Sequence, residues 1–139
     1  MAAGDPCEVL LGVADRLCAE LGCPENGEEP PGAQSPFGGE RVMAGTLGRQ
    51  EELLIAQVRR RLAQVAAALG AGPKPDSAVG AALDGSEMVM RGELTSGNRD
   101  RLPSLMPSFV LLIALPLVEQ DEALALSRRT SELVAAATD

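Results

Sequence analysis

The sequence predicts an all-α fold, a bundle of about five helices. Three observations carry this. Apolar residues recur at spacings of three and four along most of the chain. Clusters of glycine and proline interrupt those stretches at helix-like intervals. No segment shows the apolar–polar alternation of a strand.

The first helix is expected from about Asp5 to Leu21. Cys7, Leu10, Leu11, Ala14, Leu17, Cys18 and Leu21 share one face. Asp5 followed by Pro6 supplies an N-cap and a first-turn proline, and Gly22 with Pro24 ends the helix. Residues 24–39 hold four prolines, four glycines and three glutamates, with no periodic apolar pattern. They read as a mobile loop whose far end Phe37 pins to the core.

The second helical segment covers about Glu40 to Leu69. Leu54, Val58, Leu62, Val65 and Leu69 form its stripe. The stripe lapses near Gln50 and Glu51, and Gly45 and Gly48 weaken the early turns, so a break is expected there. Gly70 to Pro73 make a stop. The third helix, from Pro75 or Asp76 to Ser96, places Val79, Leu83, Ser86, Met90 and Leu94 on one face and ends at Gly97 and Asn98. Gly80, Gly85 and Gly92 lie inside it, either as points of close approach or as plain weakening.

The fourth segment, Leu102 to Val118, is nearly all apolar, with Pro103 and Pro107 expected in first turns and Pro116 as a kink or a stop. A helix apolar all round must be covered on every side, and a second subunit is expected to supply part of that cover. The last helix, Asp121 to about Ala137, is expected to point Ala123, Leu124, Leu126, Leu133 and Val134 inward. The chain of 139 residues is read as a single domain.

Composition narrows the chemistry. The chain has two Phe and no Trp, Tyr or His. The lack of histidine removes Ser-His-Asp and Cys-His catalysis, HExxH zinc sites and the Glu-x-x-His pairs of di-iron bundles. Few aromatics speak against base stacking, and a net charge of -8 against phosphate neutralisation or an anionic membrane surface. The longest apolar stretch, Phe109 to Val118, is too short to span a bilayer. No phosphate-binding loop, dinucleotide fingerprint or GxSxG is present, and no cofactor or metal is implied. The three cysteines, Cys7, Cys18 and Cys23, are odd in number and form no CxxC, which favours a reducing, cytoplasmic setting. They read as buried thiols, with a thiol sensor or metal site as the alternative.

Two charged groupings admit a functional and a plain reading. Asp84, Glu87 and Arg91, with Glu93 nearby, form either a polar cluster in a pocket or a solvated face of helix-spaced ion pairs. Arg59, Arg60 and Arg61 fan round their helix and cannot make one phosphate-binding face; they are expected to be solvated and to pair locally with Glu51, Glu52 or partner carboxylates. Met88, Met90 and Met106 with Phe109 either line an adaptable apolar cavity or belong to the core.

The stretch AALDGSEMVMRGELTSGNRDRLPSLMPSFVLLIALPLV resembles the C-terminal ligand-binding and dimerisation domain of TetR-type transcriptional regulators. The preceding LLIAQVRRRLAQVAAALGAG resembles that domain's long central helix, so the likeness extends from about Gly48 onward. It implies a bacterial regulator that homodimerises through a four-helix interface built from the last two segments, with Leu105, Phe109, Leu112 and Leu133 as anchors. It also implies an apolar small molecule held between the central and third helices. Leu54, Val58, Met88, Met90 and Met106 would wall that cavity, and Arg91 or Glu87 would orient the ligand. The family's helix-turn-helix head has no counterpart here: residues 1–30 carry seven acidic residues and one arginine. Direct DNA binding therefore does not carry over. The competing expectations are a helical adaptor that binds another protein and no small ligand, and, less favoured, an enzyme working with carboxylates or a thiol.

Overall fold

A computed structural model describes residues 5–23, 47–71 and 77–138. The expected loop over 24–39, Phe37 within it, and the start of the second segment at Glu40 lie outside these residues. Among the described residues the fold is all-α, as expected, with no strand: α1 (Pro6–Leu21), α2 (Arg49–Ala68), α3 (Ser77–Thr95), α4 (Leu102–Ala114) and α5 (Gln120–Thr138).

The helix ends follow local chemistry. Asp5 caps α1, its carboxylate accepting from the Cys7 amide at 3.3 Å, with Pro6 opening the first turn. The Glu51 carboxylate accepts from the Gly48 amide at 3.1 Å and holds the start of α2. Helices α1, α2 and α3 all stop in one way. Gly22, Gly70 and Gly97 take positive φ, and the residue after each donates its amide back five positions, to Cys18, Ala66 and Glu93.

α4 is the hub. It packs on each of the other four helices, with α5 running back along it. Leu102, Met106, Val110, Ile113 and Ala114 are wholly buried, and Phe109 nearly so. The cover that the sequence assigned in part to a second subunit comes largely from the chain itself. Pro116 acts as the stop that was one of its two expected roles: without an N–H it offers the Leu112 carbonyl no helical donor, and α4 ends at Ala114. Pro107 lies inside α4, past the first turn. Having no N–H, it leaves the Pro103 carbonyl without its usual helical donor.

The core is aliphatic: Leu10, Val13 and Leu17 of α1, Ile55, Val58, Leu62 and Val65 of α2, and Val79 and Met90 of α3 close around α4. Leu124 departs from expectation, being 42% exposed rather than inward. Position 130 takes an inward place instead: Thr130 is fully buried, its hydroxyl satisfied by the Leu126 carbonyl at 2.8 Å. No helix among the described residues is long and apolar enough to cross a membrane.

Candidate functional site

The residues expected to wall a ligand cavity fall into two sets. Val58, Met90 and Met106 have no exposed surface, and Leu54 is 7% exposed. A side chain with no accessible surface faces no open space, so in this chain the α2–α3–α4 contact is packed core and not a formed cavity. Met88 lies on the opposite side of α3, at 71% exposure, the most exposed large apolar side chain described. The structure therefore separates Met88 from Met90 and Met106. The helical period explains this: Met90 continues the Val79–Leu83–Ser86 stripe, and Met88 falls well off it.

Glu87 and Arg91 meet, but over the α2–α3 seam. Arg91 reaches Glu52 at 2.6 Å and Glu87 at 3.1 Å. Arg59 reaches Glu87 at 2.8 Å and Asp84 at 2.9 Å. The cluster alternates charge between the two helices, and the guanidinium of Arg91 is held above its ordinary range mainly by the hydrogen bond to Glu52. Each group is satisfied by its neighbours, which suits a helix–helix clasp. This corrects the partners expected for the arginine run. Arg59 pairs across to α3 and Arg61 to Asp15 of α1, at 2.8 Å, rather than with Glu51 or Glu52.

The expected dimer anchors divide as well. Phe109 is 3% exposed and Leu133 6%, so both are used up within the single chain; Leu105 is half-buried. Leu112 alone of the four is open, at 51%. Leu115 and Leu124, which sequence reasoning did not mark as surface, join it at 43% and 42%. The Ser127 hydroxyl donates to the Pro107 carbonyl at 3.1 Å and sets the antiparallel register of α4 and α5. Leu124, one turn back on α5, then lies about level with the turn of α4 that carries Leu111 and Leu112. Only the sequence's excess of leucine over one inward stripe could have signalled these exposed leucines.

Two of the open concavities among the described residues bear on the site. One, of about 230 Å³, lies beside Asp5, Cys7, Gln50, Glu51, Leu53 and Arg99. There Arg99 donates to the Cys7 sulfur at 3.4 Å and approaches Asp5 at 3.6 Å. The other, of about 600 Å³, lies at the end of α1. Among the described residues no group of three or more acidic or cysteine side chains is placed to hold a metal ion.

No protein-family model matches the chain, and neither a curated protein nor a solved structure does so.

Proposed function

We propose that this chain is a TetR-like helical regulatory module that self-associates through the outer face of α4 and α5 and reads no DNA itself. The observation that supports this most is the exposed leucine group Leu112, Leu115 and Leu124 on one antiparallel helix pair. Open apolar groups of this kind mark association surfaces more often than bare surface. Two such pairs facing each other would make the four-helix interface that the sequence resemblance implies, with Leu112 in place of Phe109 as the central anchor. In this reading an apolar small molecule has to part α2 from α3 to enter, because Val58, Met90 and Met106 are packed closed. No catalytic role is assigned.

Light scattering after size exclusion tests the proposal. A dimer that becomes a folded monomer on Leu112→Glu with Leu124→Glu supports it; a monomeric parent chain at high micromolar concentration rejects it. Thermal shift against apolar small molecules tests the ligand separately.

A second reading rests on Met88. With Val89 it opens an apolar face on α3 and suits an adaptor that binds a different protein. Here Met88→Glu would abolish capture of that partner and leave self-association intact.

A further inference from the structure

We propose that Cys18 and Cys23 form a reversible intramolecular disulfide, by exchange with a small carboxylate-bearing disulfide that docks in the concavity at the end of α1. The inference is independent of the self-association reading.

The geometry comes from the helix stop. Gly22 takes φ 80°, its amide bonds to the Ala19 carbonyl at 3.2 Å, and the Cys23 amide bonds to the Cys18 carbonyl at 2.8 Å. This stop brings the side chains of its first and last residues together, most often as an apolar contact. At the ends of α2 and α3 the equivalent pairs are Ala66 with Ala71 and Glu93 with Asn98. Only at α1 do both places carry thiols. The 2.8 Å bond also limits the Cα separation of the two cysteines. Standard backbone dimensions put that ceiling at about 6.7 Å, within the range of about 4.4–6.8 Å that disulfides span.

Both sulfurs converge on one residue of α2. Cys18 donates toward the Gln64 side-chain oxygen at 3.6 Å and the Arg61 carbonyl at 3.5 Å, and Cys23 toward the Gln64 carbonyl at 3.3 Å. The thiols are not equivalent. Cys18 is buried, and burial, reinforced by the adjoining Cys23, pushes its pKa up to about 12 against the pull of Arg61. Cys23 is half-buried. Both line the 600 Å³ concavity together with Asp15, Arg16 and Arg61. Arg61 is already paired with Asp15. Arg16 is exposed on the same rim; Glu20, whose carboxyl feels its charge, is already gripped by Arg129, so the Arg16 guanidinium suits a carboxylate on the incoming molecule.

These differences divide the work. The Cys23 sulfur, as thiolate, attacks one sulfur of the small disulfide. Its S–S bond breaks, and the first small thiolate leaves and takes up a proton. The Cys18 sulfur then attacks the Cys23 sulfur of the mixed disulfide, and its proton goes to the departing second thiolate. Two protein thiols are oxidised, and one small disulfide is reduced to two thiols. Closure removes both sulfur donors from Gln64 and Arg61, so oxidation is read out at the α1–α2 contact.

The test uses the full chain with Cys7→Ser, treated with oxidised glutathione, quenched in acid and weighed by intact-mass spectrometry. The expected product has lost two hydrogens and carries no glutathionyl group. Cys18→Ser is expected to stop at one glutathionyl adduct on Cys23, and Cys23→Ser to stay unmodified over the same time. Neutral hydroxyethyl disulfide is expected to close the pair several-fold more slowly, and Arg16→Gln to erase that difference. A stable adduct on the parent, two free thiols, or equal modification of the two serine variants overturns the proposal. Closure by hydrogen peroxide but not by oxidised glutathione overturns the assigned oxidant. Peptide mapping of the unsubstituted chain covers any failure of a variant to fold: a Cys18–Cys23 cross-link supports the pair, and one through Cys7 rejects it.

Discussion

Arg129 grips Glu20 with two parallel hydrogen bonds, Nε to Oε1 at 3.0 Å and Nη2 to Oε2 at 2.7 Å. The pair joins α5 to the last turn of α1, two segments far apart in the chain. The Arg129 hydrogen bond holds the Glu20 carboxyl below its ordinary range. A carboxylate lowered in the folded state stabilises above its unfolded pKa of about 4.3 and loses that contribution as the pH falls through the folded value. Arg129→Gln is therefore expected to lower the melting temperature at pH 7 and to have little effect near pH 2. Both groups are well exposed, so the effect at pH 7 should be small and should shrink in high salt. Thermal melts at the two pH values check this, and an equal loss at both would sink it.

Leu62 and Met88 are expected to respond in opposite ways to truncation. Leu62 is fully buried and Met88 is 71% exposed. Leu62→Ala should cost about 2–5 kcal/mol in urea unfolding, through lost transfer energy and the cavity left behind. Met88→Ala should stay within about 0.5 kcal/mol of the parent when measured on the monomer.

Two glycines should differ in sign. Gly22 needs its left-handed φ of 80°, and alanine there should cost about 1–2 kcal/mol. It should also misplace Cys23 and slow disulfide closure. Gly92 lies inside α3, where an added Cβ meets nothing within 4 Å. Alanine there should stabilise by about 0.5–1 kcal/mol. Urea denaturation of the two variants beside the parent gives both signs.

Ser86 and Thr130 are buried polar residues whose hydroxyls bond back to carbonyls four residues earlier, at Ala82 and Leu126. Those carbonyls keep their helical partners without the hydroxyl, so removing it strands no polar group. Ser86→Ala and Thr130→Val are each expected to change stability by less than about 1 kcal/mol. A large loss in equilibrium unfolding would mean that these hydroxyls serve a partner outside the helix.

The helix ends were legible because glycine, proline and capping residues act locally. Asp5 and Pro6 at the start of α1, and Gly22, Gly70 and Gly97 as stops, act where the sequence placed them. The stripe through Val79, Leu83, Ser86 and Met90 is likewise buried. Position around the helix was harder where apolar residues exceed one face. α4 is nearly all apolar and early α5 sets Leu124 and Leu126 among alanines, so periodicity could not separate Phe109, which is buried, from Leu112, or turn Leu124 outward. Salt-bridge partners were illegible for a related reason. Helical spacing offers only neighbours on the same helix, whereas Arg59, Arg61 and Arg91 pair mainly across seams that exist once the helices dock. The thiol pair was half visible: Cys18 and Cys23 plainly straddle a helix end, but Gln64 was not predictable as their shared acceptor.

The central place of α4 has a consequence for synthesis of the chain. α1, α2 and α3 are all made before Leu102, and each packs on a helix that does not yet exist. While these helices emerge, the surfaces of Leu10, Val58 and Met90 have no hub to close against. The bundle can complete its core only after α4 has cleared the ribosome, and the contacts that lock it, such as Glu20 with Arg129, wait for α5 as well. Closure of the core is thus deferred until α5 has been made, and the nascent chain is most exposed to chaperones and proteases just before that point.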